Sequence, residues 1–578
     1  MGKKQKELVS RRDFLKKGAA AGAGVAALTG LGFKEAKASE AKFDRVADVV
    51  VVGAGVSGLA AAVHARDNGA SVIVVDSNFD IGGHGMLSGG RVILGGGTSL
   101  QKKFNIQDSA DKIFLDHTRP GSRVDRYNDR NIVRAFADNN VATFEFLLEN
   151  GVKFPDKAPD VSGGAAPRLQ IAVVAPGGLT VTINGRNGSG VVRPLEASAR
   201  KKGVEFLLLH KLTGIVREEP TSGRTLGITV TNQGNTLNIQ ANKGVIIATG
   251  GHTGNVEFRR MFDPRLTEEY QQAGEPYTLQ NAEGEQAALA IGASLGDTAN
   301  QTNEGGLAIT KTVHIGCRGG YQNLKWNPKS PVFQRAGASG LTVEDWQDLI
   351  MVNQLGVRFW NELDGSYDFY AACLGSVVLD GGKTRLGGPI WAIFDADAVK
   401  REYWVPNPPN VDLNGYFFAA DTIEELAAKI NNPYQKRPMP PSALKETVAK
   451  YNSYVDAGSD PDFKRPTPKY KIQTPPFYAA WSTPILHDTL AGLRVNAKYQ
   501  VIDRHFQVIP GLYATGESAS GFAMHGLAKC LVSGYIAGAE AAQEASVARP
   551  LAMSVGFGNS NGRSLLSSNK PDSIRKLG

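Results

Sequence analysis

A chain of 578 residues is too long for one hydrophobic core and implies two or more domains. With 42% hydrophobic residues and 67 glycines it reads as a turn-rich globular α/β enzyme, which excludes fibrous and disordered classes. The net charge of +8 is partly an N-terminal effect of Lys3, Lys4, Lys6, Arg11, Arg12, Lys16 and Lys17, and no later basic stripe interleaves with aromatics, so nucleic acid is not an expected partner. The three cysteines, Cys317, Cys373 and Cys530, stand far apart, with no C-x-x-C-H haem site, C-x-x-C pair or iron–sulfur spacing. Redox chemistry here must rest on an organic cofactor, and no metal site is expected.

Residues 1–38 read as an address. Ser10-Arg11-Arg12-Asp13-Phe14-Leu15-Lys16 resembles the twin-arginine export consensus; the weakly apolar run Gly18–Phe33 and the small-x-small site Ala36-Lys37-Ala38 follow it. The run is too short and glycine-rich for a membrane span, so the mature chain is expected in the periplasm without a transmembrane segment, exported already folded around its cofactor.

Val49 to Asp76 organises what comes next. Val49–Val52 is a β-branched run expected as a buried parallel strand; Gly53, Gly55 and Gly58 complete G-x-G-x-x-G, with Ser57 inside it. Leu59–Asn68 is alanine-rich and expected helical, Gly69 stops it, and Ser71–Val75 is a second strand ending in Asp76. This strand–turn–helix–strand context binds a dinucleotide. Gly53 allows the turn, Gly55 lets backbone approach a pyrophosphate, Gly58 lets helix and strand pack closely, and the first helical N–H groups face the phosphate. Asp76 is placed to accept hydrogen bonds from a ribose diol.

The dense glycines around Gly83, His84, Ser88, Gly89 and Gly90 would let backbone lie against a flat ring system, with His84 as its neighbour. Helices are expected over Asn131–Asn150 and Val191–Lys202, and strands of a small antiparallel layer over Val204–Leu209, Gly214–Glu218, Leu226–Thr231 and Leu237–Gln240. Gly244–Gly251, holding Thr249 and Gly250, reads as a separate buried strand with a small-residue end, and Glu283–Gly292 as a further helix. From 306 to 469 aromatics, prolines and polar residues increase and the parallel-strand signature disappears, as for an inserted domain. The parts on either side, 45–305 and 470–548, form one discontinuous domain, and 549–578 is a loose tail. Pro510–Glu517, with Gly516 and Glu517, leads into a small-residue helix over His525–Glu544.

Several motifs occur in order: G-A-G-x-S-G-L-A, A-T-G-G, V-N-x-x-G-x-R-F-x-N-E, P-P-F-Y-A and G-L-Y-A-T-G-E. Together they resemble the FAD-dependent fumarate reductase / 3-ketosteroid Δ1-dehydrogenase superfamily over nearly all of the mature chain. The resemblance implies FAD, a discontinuous Rossmann-like α/β FAD-binding domain, and an inserted α+β capping domain over the isoalloxazine. It assigns Gly53, Gly55, Gly58 and Asp76 to the ADP half. Gly89, Gly90, Thr249, Gly250 and Glu517 fall near the flavin and ribityl chain, and the helix from Leu527 points at the flavin N1/O2 edge.

The departures bear on substrate. Fumarate reductases of this superfamily place a proton-donating arginine shortly after the N-E pair, where this chain reads Asn361-Glu362-Leu363-Asp364-Gly365-Ser366-Tyr367. Their carboxylate-clamping arginine after H-G is Lys529 here, and a histidine, His487, is kept before the glycine. Lysine keeps the charge but loses the bidentate fork. Ketosteroid dehydrogenases carry tyrosines in the first region and in P-F-Y. Tyr367 is therefore expected as acid or base and Tyr478 as the carbonyl holder, with His487 and Lys529 as substrate ligands. Arg358 and Glu362 are expected to pair and shape the cap. The leading expectation is a flavoenzyme interconverting a C–C bond and a carbonyl-activated C=C bond of a cyclic ketone or enone. The alternatives are a fumarate or enoate reductase fed by a cytochrome c, and a flavin electron carrier. With no second dinucleotide fingerprint, a c-type cytochrome or quinone-linked protein is the expected electron partner.

Overall fold

The computed structural model describes residues 36–37 and 42–546, apart from 121–124, 126–127, 163, 175–186, 297–308, 311–312, 319–325, 365–371, 374–375, 379–383 and 387. The leader expected over 1–38, apart from Ala36–Lys37, the expected C-terminal tail and Tyr367 lie outside the described residues. β1 (Arg45–Val52), α1 (Val56–Asp67) and β2 (Val72–Val75) form the expected unit. Val49, Val50 and Val51 are each 0% exposed, because a parallel strand covered on both faces must be apolar throughout.

A nine-stranded sheet carries this unit. β1 pairs in parallel with β2, and β2 with β3 (Glu205–Leu207). On its other side β1 pairs in parallel with β6 (Asn235–Ile247). The first half of β6 is antiparallel to β5 (Ser222–Asn232), which pairs with β4 (Lys211–Glu219). Its second half runs parallel to β12 (Val508–Ala514), itself edged by β11 (Gln500–Ile502). Two expectations are corrected. Leu237–Gln240 and Gly244 onward belong to one strand, the polar break between them being a register shift between Ala241 and Gly244. The 204–209 segment supplies β3 of the parallel sheet, because alternation does not reveal which neighbour a strand will take.

α2 (Arg130–Glu149) starts at Asp129, whose side chain accepts from the N–H groups of Asn131 and Ile132. α5 (Leu527–Gln543) packs on α1 through small residues: a Cβ on Gly534 would lie 2.2 Å from the Ser57 carbonyl oxygen, and one on Gly538 2.4 Å from that of Ala61. This contact joins the returning chain to the first nucleotide unit. α3 (Glu283–Ala290) flanks the antiparallel layer near β4.

The part of the chain expected as the cap builds its own sheet, in the order β7 (Ile350–Val352), β8 (Trp391–Phe394), β10 (Phe477–Trp481), β9 (Phe417–Ala420), all antiparallel. α4 (Pro441–Ala457) packs Leu444, Val448 and Tyr451 with Trp391 and Trp481 in one core, and Met351, Phe394, Trp404 and Phe417 form a second. Phe477–Trp481, expected beyond the 470 boundary in the second part of the FAD-binding domain, is thus a strand of this cap sheet. Among the described residues no helix is long and apolar enough to cross a membrane.

Candidate active site

β1 turns at Gly53, where φ is +108° and a Cβ would sit 2.2 Å from the Ala248 carbonyl oxygen at the end of β6, so only glycine fits. Gly58 seals the helix onto this turn, since a Cβ there would lie 1.9 Å from the Gly53 oxygen. Asp76, at the end of β2, accepts from the Ala54 N–H at 2.6 Å through Oδ2 and from the Asn78 N–H at 2.7 Å through Oδ1. Desolvation outweighs these bonds and pushes its carboxyl up to about 6. Beside it the cleft is lined by Ser77, Asn78 and, unforeseen, His210 from the β3–β4 connection with Lys211 and Leu212 at the start of β4.

The same cleft continues past Thr249 and Gly250 to the start of α5. Here loops widely separated in sequence converge. Asp488 bridges two imidazoles: Oδ1 accepts from His487 Nδ1 and Oδ2 from His525 Nδ1, and the two rings stand edge to face with centroids 4.7 Å apart. Burial opposes the charge of Asp488, but the His525 and His487 rings and their hydrogen bonds hold its carboxyl far below the usual range. In return Asp488 raises the His525 imidazole. The N, O and N atoms lie within 4.8 Å of one another, and with both Nδ1 atoms turned onto the carboxylate the trio is a hydrogen-bonded bridge. Glu517 Oε2 accepts from the Thr489 N–H and from Gln280 Nε2, each at 3.1 Å, while Gln280 Oε1 accepts from the Thr253 hydroxyl at 2.7 Å. Desolvation, then the neighbouring Asp488, pushes Glu517 up to about 7. Lys529, in the first turn of α5, is 3% exposed and lines the cleft, as does Arg91 just after the Gly89–Gly90 pair.

Of the expected cofactor residues, Gly53, Gly55, Ser57, Asp76, Gly83, His84, Ser88, Gly89, Thr249, Gly250 and Glu517 line this cleft. Gly58, Gly90 and Gly516 stand behind its wall; Gly516 donates its N–H to Ser533 Oγ at 3.0 Å and packs on Ser57. His84 sits against Gly274, and desolvation drops its imidazole to about 4, which leaves the ring neutral at pH 7. His487 and Lys529 also line the cleft.

Tyr478 does not. It stacks on Phe394 at 5.3 Å and leans on Phe417 at 5.6 Å within the cap, and burial raises its phenol. Its assignment as carbonyl holder is corrected: β10 turns that side chain into the cap core. The expected Arg358–Glu362 pair is present, with Nε to Oε1 at 2.9 Å and Nη2 to Oε2 at 2.7 Å. Sequence reasoning gave no role to Asp488, His525, Arg91 or Gln280. The only signal was the adjacency of His487 and Asp488; that His525 closes on them across 37 residues is a tertiary fact.

The cleft fits FAD. Gly55, at the N-terminus of α1, and Gly526, at that of α5, both line it, and a Cβ on either would meet nothing within 4 Å. Two helix N-termini, neither with an acidic side chain in its first turn, thus open onto one cleft that Asp76 also lines. Comparison with known proteins agrees. A fumarate reductase (cytochrome) of Shewanella frigidimarina is 28% identical over 519 residues, 88% of this chain and 79% of that protein. The acrylate reductase flavoprotein subunit of Shewanella woodyi is 27% identical over 555 residues, 92% and 98% of the two chains. A flavocytochrome c3 fumarate reductase solved in its open conformation matches with a TM-score of 0.61 at 25% identity, over 94% of this chain and 83% of that one. The 3-ketosteroid Δ1-dehydrogenase of Sterolibacterium denitrificans also gives 0.61, at 20% identity over 86% and 99%, and so shares the fold. The family model described as FAD binding domain matches residues 48–529. This chain belongs to that family and is an FAD-dependent oxidoreductase acting on CH–CH groups.

Proposed function

We propose that the protein reduces the C=C bond of a small enoate, an alkene conjugated to a carboxylate. The observation that carries this reading is the basic lining of one end of the cleft: Lys529, Arg91, His487 and His525 gather beside the N-terminus of α5. Bound FAD would supply the hydride. Lys529 and the α5 N–H groups favour negative charge as it develops on the substrate carboxyl, and Arg91 adds a cation near the Gly89–Gly90 pair. Asp488 holds His487 and His525 by their Nδ1 atoms, which fixes both rings at the cleft wall. The cyclic-ketone reading leaned on Tyr367 and Tyr478, and the second of these belongs to aromatic packing. Relatives that reduce fumarate and acrylate support the enoate instead.

The electrons come, on this reading, from a c-type cytochrome or quinone-linked protein, since the sequence has neither a haem motif nor a second dinucleotide fingerprint. The twin-arginine-like leader supports action in the periplasm.

The test is to photoreduce the flavoprotein without oxygen and follow reoxidation of its visible band by fumarate, acrylate, an aryl acrylate and a cyclic enone. Reoxidation by one of the enoates is expected, and Lys529→Ala should raise the concentration required by roughly tenfold or more, about 1.4 kcal/mol of lost charge interaction. Reoxidation by the cyclic enone alone would return the assignment to ketone chemistry.

A further inference from the structure

Saturating an alkene takes a proton as well as a hydride, and the site must supply it. On the enoate reading, on which this inference rests, hydride adds to the β-carbon and the π pair moves to the α-carbon and carboxyl oxygens. The α-carbon then takes a proton. Among the described groups lining the cleft around the start of α5, those with a transferable proton are His84, His487, Glu517, His525, Lys529 and Cys530, beside the cation Arg91; Asp76, His210, Lys211 and Glu283 line the nucleotide end.

Most of them are poorly suited. The Cys530 thiol is pushed up to about 12 by burial, and His84 is held neutral. Glu517 has Oε2 engaged by Gln280 and Thr489. Lys529 at 3% exposed and the His487 side chain at 8% are walled off from the water that would reload them after each turnover. His525 differs: it shares Asp488 with His487, but its side chain is 40% exposed.

We propose that His525 is the general acid that protonates the substrate α-carbon, and that Asp488 is its positioning residue. Asp488 Oδ2 takes the Nδ1–H, which fixes the ring and leaves Nε2–H as the acidic position toward the cleft. The proton leaves Nε2 for the α-carbon, and the neutral imidazole takes another from water at the exposed edge. The only reductant needed is the reduced flavin that supplies the hydride.

The groups facing His525 come from four elements: His487 and Asp488 from the loop after Ile485–Leu486, Glu517 from the turn after β12, Arg91 from the strand Arg91–Ile93, and Lys529 from α5. Asp488, most strongly, and Glu517 favour the imidazolium; burial and Arg91 oppose it. The net effect keeps the acid loaded above the usual imidazole range.

The experiment uses the reduced holoprotein and measures the rate of flavin reoxidation by the best enoate against pH. The native rate should fall on an alkaline limb lying above the ordinary histidine value. His525→Gln should lose about 100-fold or more in rate together with that limb and gain a larger solvent isotope effect. Photoreduction of its flavin should proceed as in the native protein. Asp488→Asn should move the limb to lower pH, and His525→Asn serves if the glutamine variant fails to fold. A His525 variant that keeps the native rate and limb, or a limb that survives there and disappears in Tyr367→Phe, overturns the proposal alone. A native protein that no enoate reoxidises overturns both this proposal and the enoate reading.

Discussion

Two clusters of buried charge, one in the cap and one in the cleft, are built from similar parts to opposite ends. In the cap, Glu362 takes Arg358 on both oxygens, the Arg465 Nη1–H at 2.9 Å and the Met351 N–H at 3.0 Å. Arg358 also reaches Asp460 at 3.0 Å, and Arg465 spends its other donors on Leu349, Trp346 and Gln347. In the cleft, Asp488 is shared by two imidazoles that line the cavity, and the His525 side chain is 40% exposed there. The first cluster is closed on itself and ties β7 to the segment before β10. The second opens onto the space where FAD and a substrate must meet. Buried charge alone therefore does not mark a functional site; what marks it is polar capacity left facing a cavity.

The largest expected effect that separates them is Glu362→Ala. It strands two arginines that are 5% and 0% exposed at their side chains, and should cost about 3–5 kcal/mol in chemical denaturation. The reoxidation pH profile of the protein that remains folded should not move. A loss under 1 kcal/mol would mean that the cap cluster is looser than its hydrogen bonds imply.

Next comes Glu517, on the cleft side. Its folded carboxyl is raised to about 7, against an unfolded value of roughly 4.3. A raised acid binds its proton more tightly in the fold, so its contribution is full below the unfolded value and is lost as pH rises toward 7. The loss is on the order of 3 kcal/mol. Glu517→Gln should therefore gain melting temperature relative to the native holoprotein between pH 5 and pH 8 (roughly, from those limits). A difference that stays flat across that interval would show that the carboxylate is already compensated.

The contrast in what the sequence made legible follows the same line. The nucleotide end is local: within Val49–Asp76, apolar run, glycine spacing and terminal acid sit on one strand–turn–helix–strand unit, and each is read from its neighbours. Short-range reading fails where the partner decides. The 204–209 run would serve a parallel or an antiparallel neighbour equally well, and β6 conceals one continuous strand behind a bulge. Tyr478 sits in a motif that suggested chemistry, but the face of β10 that carries it packs on Phe394, which no spacing reveals. The proton-handling end is assembled from Arg91, the 487–489 loop, Glu517 and the start of α5. Such a site becomes visible only once the fold has closed.

The smallest effect is also the most diagnostic of an open cluster, because it changes with pH from both sides. The Asp488 carboxyl is depressed, so its stabilisation is present above its unfolded value of about 3.9 and is lost as pH falls through the folded value. The His525 imidazole is raised, so its share is full below its unfolded value of about 6.5 and is lost as pH climbs through the folded value. The attraction is complete only between those limits. Asp488→Asn should therefore destabilise the protein most near pH 5–6 and less below about pH 3 or toward pH 9, by about 1 kcal/mol at the maximum once solvent screening of the half-exposed His525 is allowed for. Melting temperatures of the two holoproteins across that range supply the difference curve. A curve that peaks in the middle means that carboxylate and imidazolium coexist in the cleft, the state a reloadable acid requires. One that is flat would mean that the bridge is held as a neutral hydrogen-bonded pair, with no cation to give.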